Sequence, residues 1–473
     1  MYGMIPWFDE VHIVEMGRLL LAGGDVDSIL MGKSDVVLAP IYYLGPCLQE
    51  LAFRIGGVAG VRTMPFLGLP LVWWGFRLWL KRSSSIPWLP RELLALSLLF
   101  SPLLFQSAIL TRVDIWALAC VFGSLAAIGE GGLPSLALGA FLAVCSVFVW
   151  PTSAVLAFIY PAFAFSWERR REFLWFCLFA AVSALVLLIP FMPRLPLMLA
   201  AFNRHYTEAA TPARSLVSIV EPLAREFARS PLLFGLSVIG FFHAVWMRRW
   251  AKVAACLLAL GVAAAAGGLY TFRIIYLLPP FLLLGAEFLE DVVRRKPRLV
   301  TSFLSLCVAY GVLTGPVGHC FLSCPTLPDN LEEQLAEVVG TGPVRVFAPD
   351  HFSYYIGRNL GWRQVGCADP SEPNNPAVLA KLLSGCDAAV LRDVDSFTPF
   401  QQSCTPYGLF CQYVFRAARR ESEFPLEQRS WAAKFGSKYS FAWHGPLMLD
   451  GFEEVRRIGF VRVYRRRRQN PSP

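Results

Sequence analysis

Residues 7–13 read Trp-Phe-Asp-Glu-Val-His-Ile, so two carboxylates, Asp9 and Glu10, head a chain whose later sequence is largely apolar. They are followed at helical spacing by His12, Glu15 and Arg18, and then by the acids Asp25, Asp27 and Asp35. A further acid, Asp114, stands two residues after Arg112 in Thr111-Arg112-Val113-Asp114, and Arg273 lies in Tyr270-Thr271-Phe272-Arg273. Ionisable groups are costly at a membrane, so each needs a reason. For a lone carboxylate the ordinary reasons are a surface charge or a helix cap. Here three distant parts of the chain deliver acid, acid with base, and base to one face. Such a set suits proton transfer by the carboxylates and anion binding by the guanidinium groups. A salt bridge that merely holds loops together is an equal account of Arg112 and Arg18.

The elements that must position these groups are membrane spans. A chain of 473 residues with 55% hydrophobic and 16% charged content and a mean hydropathy of +0.50 cannot present an ordinary soluble surface. Apolar runs predict spans at 61–80, 91–108, 113–129, 133–149, 152–166, 172–191, 231–247, 251–268, 274–290 and 298–316. The basic turns, with Lys81, Arg82 and Arg91, Arg169 to Arg171, Arg248, Arg249 and Lys252, and Arg294 to Arg298, then fall on one side. By the positive-inside rule that side is cytoplasmic, and the acidic N-terminal stretch faces the other way. The segment 38–57 would reverse this order if it crossed. An amphipathic helix lying in the outer interface fits Gln49, Glu50 and Arg54 better.

Three parts follow: residues 1–60 as an outer acidic loop with interfacial helices, 61–316 as a body of about ten transmembrane helices, and 317–473 as a soluble α/β domain outside the cytoplasm. The fold class expected is therefore a polytopic α-helical membrane protein with a C-terminal extracytoplasmic α/β domain. In that last part the pattern predicts helices near 329–339 and through Tyr354 and Tyr355, and strands at 344–348, 388–391 and 460–464. Only eight residues precede Asp9, and a first helix lost to a misassigned start is the simple explanation. Six of the twelve cysteines lie in the tail, where Cys320 with Cys324 and Cys404 with Cys411 are the local disulfide candidates. The spacings are not those of a zinc finger or ribbon. No Gly-rich phosphate loop, dinucleotide fingerprint or zincin motif is present.

The run FDEVHIVEMGRLLLAGGD resembles the first outer loop of the GT-C class of glycosyltransferases, and FDEVH in particular resembles protein O-mannosyltransferases. LLALSLLFSPLLFQSAILTRVDIWALACVFGSLAA is similar to that superfamily's Ser-Pro helix followed by Arg-x-Asp, and RIIYLLPPFLLLGAEF to its late Arg-Tyr-Leu-Leu-Pro helix. The likeness runs in order over about residues 7–290 and extends to the lipid A aminoarabinose transferases of the same superfamily. It implies a GT-C-like fold and an inverting transfer from a polyprenyl-phosphate sugar to a glycan, lipid or protein acceptor at the extracytoplasmic face of an integral membrane protein. A bacterial inner membrane with the site in the periplasm fits the Ala-, Leu- and Arg-rich composition.

Within that resemblance Asp9 takes the role of general base, Glu10 is its neighbour, and Asp114 raises the base's affinity for a proton or orients the acceptor. An ordinary aspartate, with a reference pKa of about 3.9, needs such help. Arg273, Arg112 and Arg18 become candidates for the donor phosphate. Tyr42, Tyr43, His205 and Tyr206 become candidates for sugar or phosphate contacts. The chain departs from the superfamily pattern at Leu38-Ala39-Pro40-Ile41, where a basic residue is usual, at Trp150 in place of a lysine, and at Ile275 in place of an arginine. No cofactor and no nucleic acid is implied. Two other readings stand beside this one. A transporter or flippase of lipid-linked saccharides would carry its ionisable groups near the midplane. A metal-dependent oligosaccharide transferase would use Asp9, Glu10 and Asp114 to hold a divalent cation.

Overall fold

The computed structural model describes residues 8–22, 42–165, 167–194, 217–265, 271–318, 327–348, 352–365 and 383–392. It also describes 409–437 with short breaks, 451–459 and 461–467. Over their described residues the ten predicted spans fall mainly on helical segments, although not all are long regular α-helices. Helix α1 (Phe8–Leu21) lies against the start of α2 (Leu44–Ser83). Gly17 makes this possible, because a Cβ there would stand 2.1 Å from the Pro46 carbonyl oxygen. α2 is two helices joined at Gly56 and Gly57, and Gly57 holds φ 56° and ψ −147°, a conformation open in practice only to glycine. The break separates a first half, within the segment expected to lie in the interface, from the apolar half that follows.

α3 (Trp88–Leu99) and α4 (Pro102–Ile109) meet at a 44° bend. Ser101 caps α4 by accepting a hydrogen bond from the Leu104 amide at 3.2 Å, and Pro102 fills the first helical position, where no N–H is needed. α5 (Asp114–Ile128) and α6 (Leu133–Val149) follow, and then a 3-10 stretch (Pro151–Phe158) and a π turn (Tyr160–Ala164). The remaining apolar helices are α7 (Arg170–Leu188), α9 (Pro231–Trp246), α10 (Trp250–Ala265), α11 (Thr271–Val293) and α12 (Pro297–Val312), with the amphipathic α8 (Val217–Arg229) ahead of α9.

Among the described residues three helices are long and apolar enough to cross a bilayer unaided, and two bent pairs raise the number to five. α5, α6 and α10 have 15, 17 and 16 residues, or about 22–26 Å at 1.5 Å per residue against a hydrocarbon thickness of about 30 Å. α11 is longer but carries Glu287, Glu290 and Asp291 in its last two turns. The membrane character is clearest in α7, where only 6% of the apolar window is buried and Leu174, Leu178, Val182 and Leu185 point outward.

The basic turns gather at one end of the bundle. Arg82 meets Glu130 at 2.5 Å, Arg169 donates to the Ile128 carbonyl at 3.2 Å, and Ser85 reaches Glu290. Arg249 and Lys252 share Glu287, and His243 stands 3.2 Å from Asp291. One end thus collects the turns after α2, α5, α9 and α11, and α1 and the turn before α5 belong to the other.

The C-terminal part forms a five-stranded mixed sheet in the order β2-β1-β3-β5-β4. Its strands are β1 (Arg345–Phe347), β2 (Arg363–Val365), β3 (Ala388–Arg392), β4 (Phe452–Ile458) and β5 (Val461–Arg466), with β1 parallel to β2 and β3 and the other pairs antiparallel. Helices α13 (Leu331–Val339) and α14 (Phe352–Leu360) pack on it through Leu331, Leu335, Phe352 and Ile356. A shorter helix, α15 (Trp431–Ser437), follows. Cys386, the one described cysteine of this part, is a buried thiol whose pKa is pushed up by burial. Both expected disulfide pairs lie outside the described residues.

Candidate functional site

The sequence between α4 and α5 makes a tight turn at the end of the bundle away from the basic loops. Thr111 has φ 58°, a left-handed conformation that a β-branched residue adopts only under strain, and it is fully buried. Two contacts hold it there: its carbonyl accepts the Gln49 side-chain amide from the first half of α2, and the next amide, Arg112 N, bonds the Ser107 carbonyl at 3.1 Å. The strained turn aims Arg112 back at the head of α5. Its Nε lies 2.6 Å from Asp114 Oδ2, and its guanidinium covers the Trp150 ring at 5.4 Å.

Asp114 has no exposed surface, and its other oxygen, Oδ1, has no well-formed hydrogen bond among the described residues. Tyr276, fully buried in the second turn of α11, lies near this carboxylate without a well-formed hydrogen bond from its hydroxyl. A buried acid with one oxygen on a guanidinium and the other unused is costly as mere scaffolding. Gln106, Ser107 and Thr111 on the same segment also bury side-chain polar atoms without hydrogen bonds.

The acids of α1 divide by partner. Asp9 is in the first turn of α1, and its side chain lies outside the described residues. Glu10, buried, meets Arg62 of α2 at 3.1 Å and packs under Tyr355 of α14. Glu15, buried, takes both Nε and Nη2 of Arg18 at 2.8 and 2.7 Å and the Tyr354 hydroxyl at 2.7 Å. Arg18 therefore spends its fork on Glu15. Arg273 is half-buried in the first turn of α11, with Nη1 3.5 Å from the Ala263 carbonyl. Tyr42 stands edge-on to Trp150 at 4.9 Å, and Tyr43 donates to the Leu187 carbonyl at 3.1 Å. His205 and Tyr206 lie outside the described residues.

Tyr42 and Arg112 thus meet at Trp150, and Tyr276 joins Asp114. Arg18, Glu10 and Glu15 belong instead to a neighbouring network beneath α14. Tyr276 was not singled out by the sequence, although it is three residues after Arg273 in the same Arg-Ile-Ile-Tyr motif. One helical turn carries position 273 to position 276, which is the signal that was available.

No family model matches the chain, and no curated protein matches it either. Solved structures do. A crystal structure of ArnT from Cupriavidus metallidurans bound to undecaprenyl phosphate superposes over 100% of this chain and 96% of its own, with a TM-score of 0.58 and 12% identity. The arabinofuranosyltransferase AftD from Mycobacteria matches 98% of this chain with a TM-score of 0.52 and 15% identity. This chain spans only 40% of AftD. The chain shares its overall fold with the ArnT structure. At these identities the likeness fixes architecture and leaves chemistry to the site.

Proposed function

We propose that this protein is a membrane glycosyltransferase. It would move a sugar from a polyprenyl-phosphate donor to an acceptor hydroxyl at the end of the bundle opposite the basic loops, with inversion at the anomeric carbon. The observation that carries the reading is the buried, half-used Asp114 on its strained Thr111–Asp114 turn, at the same end as the start of α1, in a GT-C fold. The undecaprenyl phosphate held by the ArnT structure supports a lipid-phosphate donor.

In the step itself Asp9 takes the proton of the acceptor hydroxyl, and that oxygen bonds to the anomeric carbon. The bond from that carbon to the phosphate oxygen breaks on the opposite side, and its electron pair stays on the lipid phosphate. Asp114 orients the acceptor. Arg273 and Arg112 balance the phosphate charge as it grows. Charge sorting of the loops supports a cytoplasmic basic end, which would leave the reaction and the C-terminal sheet on the periplasmic side of a bacterial inner membrane. Sugar and acceptor could be any pair with that chemistry.

The test is transfer from radiolabelled polyprenyl-phosphate sugars to cell-envelope extract by protein in vesicles. Asp9→Asn is expected to lower kcat by about 100- to 10,000-fold. Equal transfer by wild type and Asp9→Asn would remove the base. Transfer abolished by chelator and restored by a divalent cation would instead favour the metal-dependent reading.

A further inference from the structure

The two carboxylates assigned above sit on different elements, Asp9 at the head of α1 and Asp114 at the head of α5. Their spacing depends on what locks α1 to the turn before α5: α1 packs directly on α2 at Gly17 and Pro46, and the contacts show a second lock from α14 of the C-terminal part. On one side, Tyr354 donates to Glu15 of α1, and Tyr355 shares an apolar cluster with Val11 and Val14 of the same helix. On the other, Arg358 grips Glu50 of α2 with both terminal nitrogens, at 2.7 and 2.9 Å, and lies 4.1 Å above the Phe53 ring. The residue beside Glu50 is Gln49, whose amide holds the Thr111 carbonyl of the strained turn. A single helix outside the bundle therefore has one grip on the element carrying Asp9 and another, one residue removed, on the turn carrying Asp114.

The chemistry of the joint argues against simple glue. Glu10, Glu15 and Glu50 are 2%, 1% and 0% exposed, and all meet guanidinium or phenol groups. Buried ion pairs add little net stability compared with apolar packing, but they admit few geometries, and two nitrogens on two oxygens admit fewest. Val11, Val14, Val61, Phe53 and Val58 surround the two tyrosines and supply the adhesion.

We propose that α14 is a positioning clasp, in which Tyr354 and Arg358 hold Glu15 and Glu50 so that Asp9 and the Arg112–Asp114 turn bear on one substrate. The inference rests on the glycosyltransferase reading. The proposal assigns Tyr354 and Arg358 no contact with a reacting atom; both act through the elements they hold.

Its test uses full-length protein in vesicles with three variants: Tyr354→Phe, Arg358→Lys, and the charge-neutral pair Arg358→Met with Glu50→Gln, which leaves no buried charge stranded between those two positions. Hydrogen exchange is read over residues 8–21 and 44–56, and transfer kinetics are read as kcat and donor KM. The clasp predicts faster exchange in both segments with the sheet still protected. It also predicts kcat lower by about 10- to 100-fold in the neutral pair, donor KM within about threefold, and Arg358→Lys between the pair and wild type. Unchanged kcat despite loosened α1 would make the joint structural only. Unchanged exchange would mean that α14 holds nothing. A raised KM at normal kcat would move Arg358 to donor binding. If wild type transfers no sugar from any donor, the functional reading falls, and the exchange data still decide whether the grip exists.

Discussion

Replacing Asp114 by Asn asks whether that carboxylate is chemistry or a loop fastener. At 2.6 Å, opposite unit charges attract by about 6 kcal/mol at an effective dielectric of about 20. Much of that offsets their desolvation, since Arg112 and Asp114 are 4% and 0% exposed. Removing one partner strands the other, at a cost of about 3–5 kcal/mol. Asp114→Asn and Arg112→Gln should each lower the stability of the detergent-solubilised protein by an amount in that range. The double variant should recover about 2 kcal/mol of the summed loss, because no charge is left alone. Transfer should not recover with it: a rate down by about 100-fold or more is expected in both variants that lack the acid. The assay pairs a denaturation series with transfer kinetics on the same four proteins. Strictly additive stability losses would refute the coupled pair. A double variant that regains transfer would refute the role given to Asp114 and leave a salt bridge.

Gly17→Ala should push α1 off α2, because the new Cβ would meet Pro46 O at 2.1 Å and Glu50 Cβ at 2.8 Å; a loss of about 1–3 kcal/mol and slower transfer are expected. Gly235→Ala, which meets nothing within 4 Å, is the neutral control. The pKa values of Tyr354 and Tyr355 are raised, first by burial and then by the charges of Glu15 and Glu10 respectively. Their folded values therefore exceed the unfolded value of about 10. The stability they contribute is complete below that value and is lost as pH rises through the folded values. Melting temperature should fall more steeply above about pH 10 in wild type than in Tyr354→Phe/Tyr355→Phe, and parallel curves would contradict this.

Much of the helical body was legible because apolar length is a strong signal. The helices at 133–149 and 231–246 begin where a Pro stands at the first or second position, and the Ser101-Pro102 break is spelled out by a cap and a missing N–H. What the composition could not give was length after folding. The run at 152–166 is a 3-10 stretch followed by a π turn. In the tail, β4 escaped notice because Phe-Glu-Glu-Val-Arg-Arg-Ile buries only its two ends, the pattern of a charged edge strand. Within the site, the Arg112 and Asp114 pairing could be read from their spacing. The joining of Glu15 to Tyr354 across 339 positions, and of Glu50 to Arg358 across 308, has no local signature in a single sequence.

Gln49 and Glu50 are neighbours about 100° apart around one helical turn, so one reaches inward to the turn before α5 and the other outward to α14. Two grips carved from adjacent positions share a phase. A residue inserted upstream of them within that turn rotates both together, whereas one inserted beyond the glycine break leaves both in step. Lineages of such chains should therefore resist length changes between Leu44 and Gln49.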